Sequence, residues 1–189
     1  MNNRLFLALI VALVSFSASA QSDTVSQRSW FVSIHSGVLL GKSDNGTTVT
    51  ATLMPGIRLG RLAMTVGAGY DAYLQWKTLP VFAGVGYDVY NGGNFSLFVH
   101  FNAGYSKGWN SVQEETGFSY KNEGGYFYHP FIGCRVSEGK VDLYFSAGYK
   151  FQTLTYEQEP QWGWGWGTGA KSTVTAEMQR FSLQIGLGI

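Results

Sequence analysis

The sequence predicts an all-β protein: a closed, antiparallel, up-and-down transmembrane β-barrel of about eight strands. Three observations carry that prediction. Apolar and polar residues alternate with a period of two along most of the chain, the connections alternate between tight turns and longer loops, and the less apolar face is poor in charge.

The chain opens with Arg4 in a short polar start, an apolar run from Leu5 to Val14, and the small residues Ser17-Ala18-Ser19-Ala20. This pattern predicts a signal peptide over residues 1–20 with cleavage before Gln21, because the apolar run is too short to span a bilayer as a helix. Residues 21–189 then form one domain. Without Arg4 its Lys and Arg number 12 and its Asp and Glu 12, so no basic stripe points to a nucleic-acid partner. Cys134 stands alone, which excludes an internal disulfide and a zinc-type cysteine cluster. Aromatic residues make up 16% and charged residues 13% of the chain, against about 25% charged in ordinary soluble domains.

Period-two alternation marks eight stretches: residues 30–40, 47–59, 62–74, 79–90, 94–107, 124–136, 140–154 and 173–189. In the third, Leu62, Met64, Val66, Ala68 and Tyr70 share a face opposite Ala63, Thr65, Gly67, Gly69 and Asp71. In the fifth, Phe95, Leu97, Val99, Phe101, Ala103 and Tyr105 oppose Ser96, Phe98, His100, Asn102, Gly104 and Ser106. In the seventh, Val141, Leu143, Phe145, Ala147, Tyr149 and Phe151 oppose Asp142, Tyr144, Ser146, Gly148, Lys150 and Gln152. An even count lets the first and last strands pair antiparallel, which removes both sheet edges.

Gly60-Arg61, Asn91-Gly92-Gly93 and Glu138-Gly139 read as tight turns. The joins between them, residues 41–46, 75–78, 108–123 and 156–172, are longer. Transmembrane barrels show this division, with short turns on the periplasmic side. Alternation alone fits a soluble barrel as well, and the second face decides between them. It holds Gly, Ser, Thr, Asn, Tyr and His with scattered charges, which suits a crowded interior and not a water-facing exterior. Aromatics collect at strand ends, Trp30 and Tyr87 on the turn side and Tyr70, Trp76, Tyr105, Trp109, Tyr126 and Tyr149 on the loop side, as two interfacial girdles. Pro55, Pro80 and Pro130 interrupt this reading, and bulges or different strand limits are expected at each.

The final stretch, Arg180-Phe181-Ser182-Leu183-Gln184-Ile185-Gly186-Leu187-Gly188-Ile189, resembles the closing strand of outer-membrane barrels, with Ile where many end in Phe. Over residues 30–189 the chain is similar to the small OmpA/OmpX-type barrels of Gram-negative outer membranes. That resemblance implies export to the outer membrane, contact with its lipid, and recognition of the last strand by the barrel-assembly machinery. It is architectural and implies no particular activity.

Placing the small and polar face inward gathers Arg58, Asp71, Asp88, His100, Arg135, Asp142, Lys150, Arg180 and Gln184 in the lumen, expected as a structural network of paired charges. His35, His100 and His129 share that parity but follow no metal-ligand spacing, and no metal or cofactor is implied. Some small outer-membrane barrels are acyltransferases or deacylases. Here His129 lies near Ser119 and Glu123 in sequence, without a motif that joins them as nucleophile and base.

Ser36-Gly37-Val38-Leu39-Leu40-Gly41-Lys42-Ser43 imitates a phosphate loop but has Ser where the first Gly belongs and leads into no helix. The near-repeats Gly67–Tyr73 and Gly84–Tyr90 likewise precede no helix, so neither is a dinucleotide fingerprint. Trp162, Trp164 and Trp166 alternate with glycine in the last loop and offer either an aromatic belt or a ligand surface. The expected role is structural or surface-interacting, not enzymatic. A narrow small-solute channel is the first alternative and a lipid-modifying enzyme the second.

Overall fold

The computed structural model describes residues 28–41, 46–73, 76–110, 118–160 and 172–189. Residues 1–20, Trp162, Trp164 and Trp166 lie outside them. The strands are β1 (Arg28–Leu40), β2 (Thr47–Leu59), β3 (Leu62–Ala72), β4 (Trp76–Asn91), β5 (Phe95–Asn110), β6 (Phe118–Glu138), β7 (Val141–Pro160) and β8 (Ser172–Gly188). Each pairs antiparallel with its neighbours in chain order, and β8 closes on β1. Ile189 continues the closing ladder: its amide donates to the Val32 carbonyl and its carbonyl accepts from the Val32 amide, both at 3.0 Å.

Following paired residues from Val99 through Ile132, Ala147, Leu183, Val38, Val49, Ala72 and Lys77 returns to β5 at Trp109, ten residues further along. This stagger tilts the strands by about 40° to the barrel axis. At eight strands the bore is just wide enough for side chains to fill it.

The outward residues form an apolar belt. Val32 and Ile34 on β1, Met64 and Val66 on β3, Val81 and Val85 on β4, Leu97 and Val99 on β5, and Ile185 and Leu187 on β8 are all exposed. A lipid-facing band about 25 Å tall requires such a belt. Tyr70, Tyr105, Trp109, Tyr126 and Tyr149 rim it on the loop side, and Trp30 and Tyr87 on the turn side, all exposed. Trp76 departs from the expected girdle. It is buried, because β4 starts at Trp76 with that residue in the inward parity, and it closes the lumen mouth instead.

Two-residue turns join Leu59 to Leu62 and Glu138 to Val141. Gly60 and Gly139 open them with φ of 61° and 64°, the left-handed conformation that Gly adopts without strain. The third turn therefore occupies Gly139-Lys140, one residue later than expected, since Glu138 still pairs with Val141.

None of the three prolines produces a bulge. Pairing is interrupted on one side of each, against β3 at Pro55, β3 at Pro80 and β7 at Pro130, and the register resumes unshifted. Each proline stays within the ladder to its other neighbour, opposite Val32, Ser106 and Phe101. One missing N–H thus opens the ladder locally without inserting a residue. The register shifts lie elsewhere, between Asp88 and Tyr90 and between Asn122 and Gly124.

Four strands also run further than expected on the loop side: β4 back to Trp76, β5 to Asn110, β6 back to Phe118 and β7 to Pro160. The apolar alternation ends at the membrane boundary, whereas the hydrogen-bond ladder does not. Thr155 faces Thr175 and Glu157 faces Thr173 across β7 and β8, on a polar outer face.

Candidate functional site

The lumen is filled in layers, each built by inward residues of several strands. At the loop-side mouth Leu39, Tyr73, Trp76 and Leu154 form a buried apolar cluster, with Tyr156 and Met178 packed against it. The Trp76 and Tyr156 rings lie 4.7 Å apart. Beneath this cap Lys150 Nζ donates to Asp71 Oδ2 at 2.5 Å, and the Asp71 carboxylate also accepts from Thr50 Oγ1 at 2.6 Å and Thr78 Oγ1 at 3.4 Å. Asp71 is fully buried. Gln152 donates to Ser106 at 3.0 Å and accepts from the Tyr73 hydroxyl at 3.1 Å.

Arg180 is buried with its guanidinium carbon 5.6 Å from the Tyr73 ring centre, and its Nε and Nη1 make no hydrogen bond. It is cross-strand from Lys150. This level therefore holds two cations against one carboxylate among the described residues, and the ring face of Tyr73 offsets part of that excess.

A second apolar layer of Met54, Phe82 and Phe127 follows. Below it sit the histidines. His100 stacks on Phe131 at 4.9 Å and approaches Thr65 Oγ1 at 3.2 Å, and His35 lies 3.0 Å from Ser33 Oγ and 5.1 Å from the Tyr144 ring. His129 Nε2 lies 2.7 Å from Ser182 Oγ. Among the described residues no group of three His, Cys, Asp or Glu could hold a metal.

Phe98, Phe131 and Tyr144 pack edge to face beneath. The turn-side end carries two ion pairs. Arg135 Nη2 donates to Asp88 Oδ2 at 2.9 Å and to Ser96 Oγ at 3.0 Å. Arg58 reaches Asp142 at 3.7 Å and the Tyr144 hydroxyl at 3.3 Å, while Ser137 donates to Asp142 at 2.5 Å. A cavity of about 40 Å³ lies between this layer and His35 and His100. It admits a few water molecules, and ligand pockets are several times larger.

Several of the rings fit because they lie over a glycine of the adjoining strand. A Cβ on Gly133 would stand 2.6 Å from Phe98, one on Gly67 2.5 Å from Phe82, one on Gly56 2.7 Å from Phe31 and one on Gly188 2.9 Å from Tyr144. At Gly186 all three nearest atoms belong to the His35 ring, starting at 2.5 Å. Gly186→Ala is therefore expected to lower stability by about 1–3 kcal/mol through overpacking. In a His35→Ala background the same change should cost little. Urea titrations of the four proteins in lipid vesicles measure the difference.

The structure thus brings Asp71 to Lys150, Asp88 to Arg135, and Arg58 to Asp142, while Arg180 lies against the Tyr73 ring and Gln184 is buried against Gly37. Sequence reasoning did not single out Thr50, Thr78, Tyr73 or Ser137, which complete these clusters. Thr50 and Thr78 flank Asp71 on the neighbouring strands and Ser137 stands opposite Asp142, with Thr78 and Ser137 just beyond the expected strand limits, whereas Tyr73 reaches Gln152 across the lumen, a contact that depends on the stagger of distant strands.

His129 meets Ser182, and the side chains of the sequence-near Ser119 and Glu123 lie outside the described residues. Ser182 and His129 have the composition of a nucleophile and its base. Both are nonetheless buried in the lumen between the apolar layers, away from the lipid-facing surface.

Comparisons with known proteins match this architecture and not a sequence family: neither a protein family nor a curated protein matches the chain. Among solved structures it is similar to Neisserial surface protein A, at 13% identity and a TM-score of 0.59, covering 86% of this chain and 97% of that one. Lower similarity, at TM-scores of 0.43 and 0.33, is found to a designed transmembrane β-barrel (14% identity, 87% of this chain and 98% of that one) and to the translocator domain of the autotransporter NalP from Neisseria meningitidis (12%, 96% and 94%).

Proposed function

We propose that the protein is an outer-membrane β-barrel with a structural or surface-interaction role, its lumen a permanent filling and its loop-side extensions the part offered to the exterior. The supporting observation is the layered lumen, in which apolar layers lie above and below the Asp71–Lys150 pair and the cavity of about 40 Å³ beside His35 and His100 admits a few waters. In planar bilayers the folded protein is expected to give no steady single-channel conductance. A reproducible open level would replace this reading with that of a narrow channel.

Three further parts belong to the same proposal. The leader over residues 1–20 directs export, the closing strand from Arg180 to Ile189 engages the barrel-assembly machinery, and Trp162, Trp164 and Trp166 provide a ligand surface in the last loop. Alanine at the three tryptophans should abolish glycan or cell-surface binding seen with the wild type, and unchanged binding would remove the loop from the proposal. The protein is not an enzyme in this reading. Folded protein incubated with phospholipid or lipopolysaccharide is expected to release and transfer no acyl chain.

A further inference from the structure

The outer surface of the barrel is not uniform at the loop-side edge of its apolar belt. On β4 the last exposed apolar residue toward the loops is Leu79, with Lys77 the next outward position, and on β5 Lys107 stands on the outward face between the exposed Tyr105 and Trp109. Register places Lys77 opposite Trp109 and Lys107 opposite Leu79, so the two lysines are diagonal neighbours on one face. Such neighbours stand about 7–8 Å apart at the backbone, close enough for two flexible ammonium groups to converge on one anion.

Neither lysine has a salt-bridge partner among the described residues. The outward acidic residues Glu157 and Glu177 lie on β7 and β8 instead. Three exposed aromatics flank the pair: Trp109, Tyr105 and Tyr70, with the Tyr70 and Trp109 rings 6.3 Å apart. Such rings settle at headgroup depth, and lysine stems lie along apolar surface while the charge reaches outward.

We infer that Lys77 and Lys107 form a binding site for the phosphate group of a lipid headgroup in the loop-side leaflet, with Trp109, Tyr105 and Tyr70 packing beside it. The inference rests on the membrane-barrel reading. A soluble anion would meet the same charges without the acyl chains that hold a headgroup at this depth. The lipid therefore presents its phosphate at high local concentration, whereas free phosphate competes with salt screening.

The test uses the full barrel folded into phosphatidylcholine vesicles containing either brominated phosphatidylcholine or brominated phosphatidic acid, with tryptophan quenching as the measure of relative affinity. The wild type should prefer phosphatidic acid, and Lys77→Gln/Lys107→Gln should lose about thirtyfold of that preference, roughly fivefold for each lysine. The turn-side variant Lys140→Gln should retain it. An unchanged preference in the double variant overturns the site. Loss of the wild-type preference on adding inorganic phosphate at constant ionic strength overturns the lipid assignment in favour of a soluble phosphate. Gel mobility with and without boiling reports separately whether each variant is a closed barrel, so failure of the membrane reading is distinguished from failure of the site.

Discussion

Asp71→Ala is expected to destabilise the folded barrel by about 3–5 kcal/mol, as removal of one member of a buried ion pair does. Asp71 is fully buried and is the carboxylate that Lys150, Thr50 and Thr78 share. Its loss strands the Lys150 ammonium beneath an apolar cap, beside an Arg180 that has two nitrogens without hydrogen bonds. The double variant Asp71→Asn/Lys150→Met removes both charges at similar volume and should recover most of the loss. Urea titrations in vesicles of the wild type, Asp71→Asn, Lys150→Met and the double variant, read by tryptophan fluorescence and by gel mobility, give the four corners of the cycle. A double variant as unstable as Asp71→Ala would mean that the cost lies in packing and not in the unpaired charge.

Val66→Arg should cost about 2–4 kcal/mol in a bilayer, the penalty for a cation at the midplane of a lipid-facing strand. Val66 is 60% exposed and lies on β3 between Leu62 at the turn end and Tyr70 in the loop-side girdle. The same substitution at Thr175, on the polar outer face of the β8 extension, should be nearly neutral. The contrast is specific to a membrane. On a soluble barrel both positions face water, and Arg at either would change stability by a few tenths of a kcal/mol.

The period-two pattern located all eight strands because lipid outside and crowding inside impose different chemistry on alternate residues. Where that difference disappears, so does the signal. Residues 156–160 continue the β7 ladder beyond the apolar belt, and their Glu and Gln read as loop. Trp76 read as a girdle residue because its chemistry suits either an interface or a lumen cap, and only its parity within β4 separates them. The lumen charges were legible as a set but not as pairs. Lys150 and Asp71 are 79 residues apart and meet across the bore between β7 and β3, a contact determined by the stagger of the whole barrel.

The fitting of rings over glycines also bears on how such a chain avoids errors while it assembles. A strand that slips by one residue exposes its polar face to lipid, a fault the bilayer itself rejects. A slip of two keeps every side chain on its proper face and escapes that check. In this barrel the second kind of error meets another obstacle. Moving β6 by two residues against β5 would set Phe98 opposite Phe131 or Arg135 in place of Gly133, and the same slip of β8 against β1 in one direction would set His35 opposite Gln184 in place of Gly186. The glycines therefore act as a proofreading code for register, written along the inside of the wall where alternation alone carries no information.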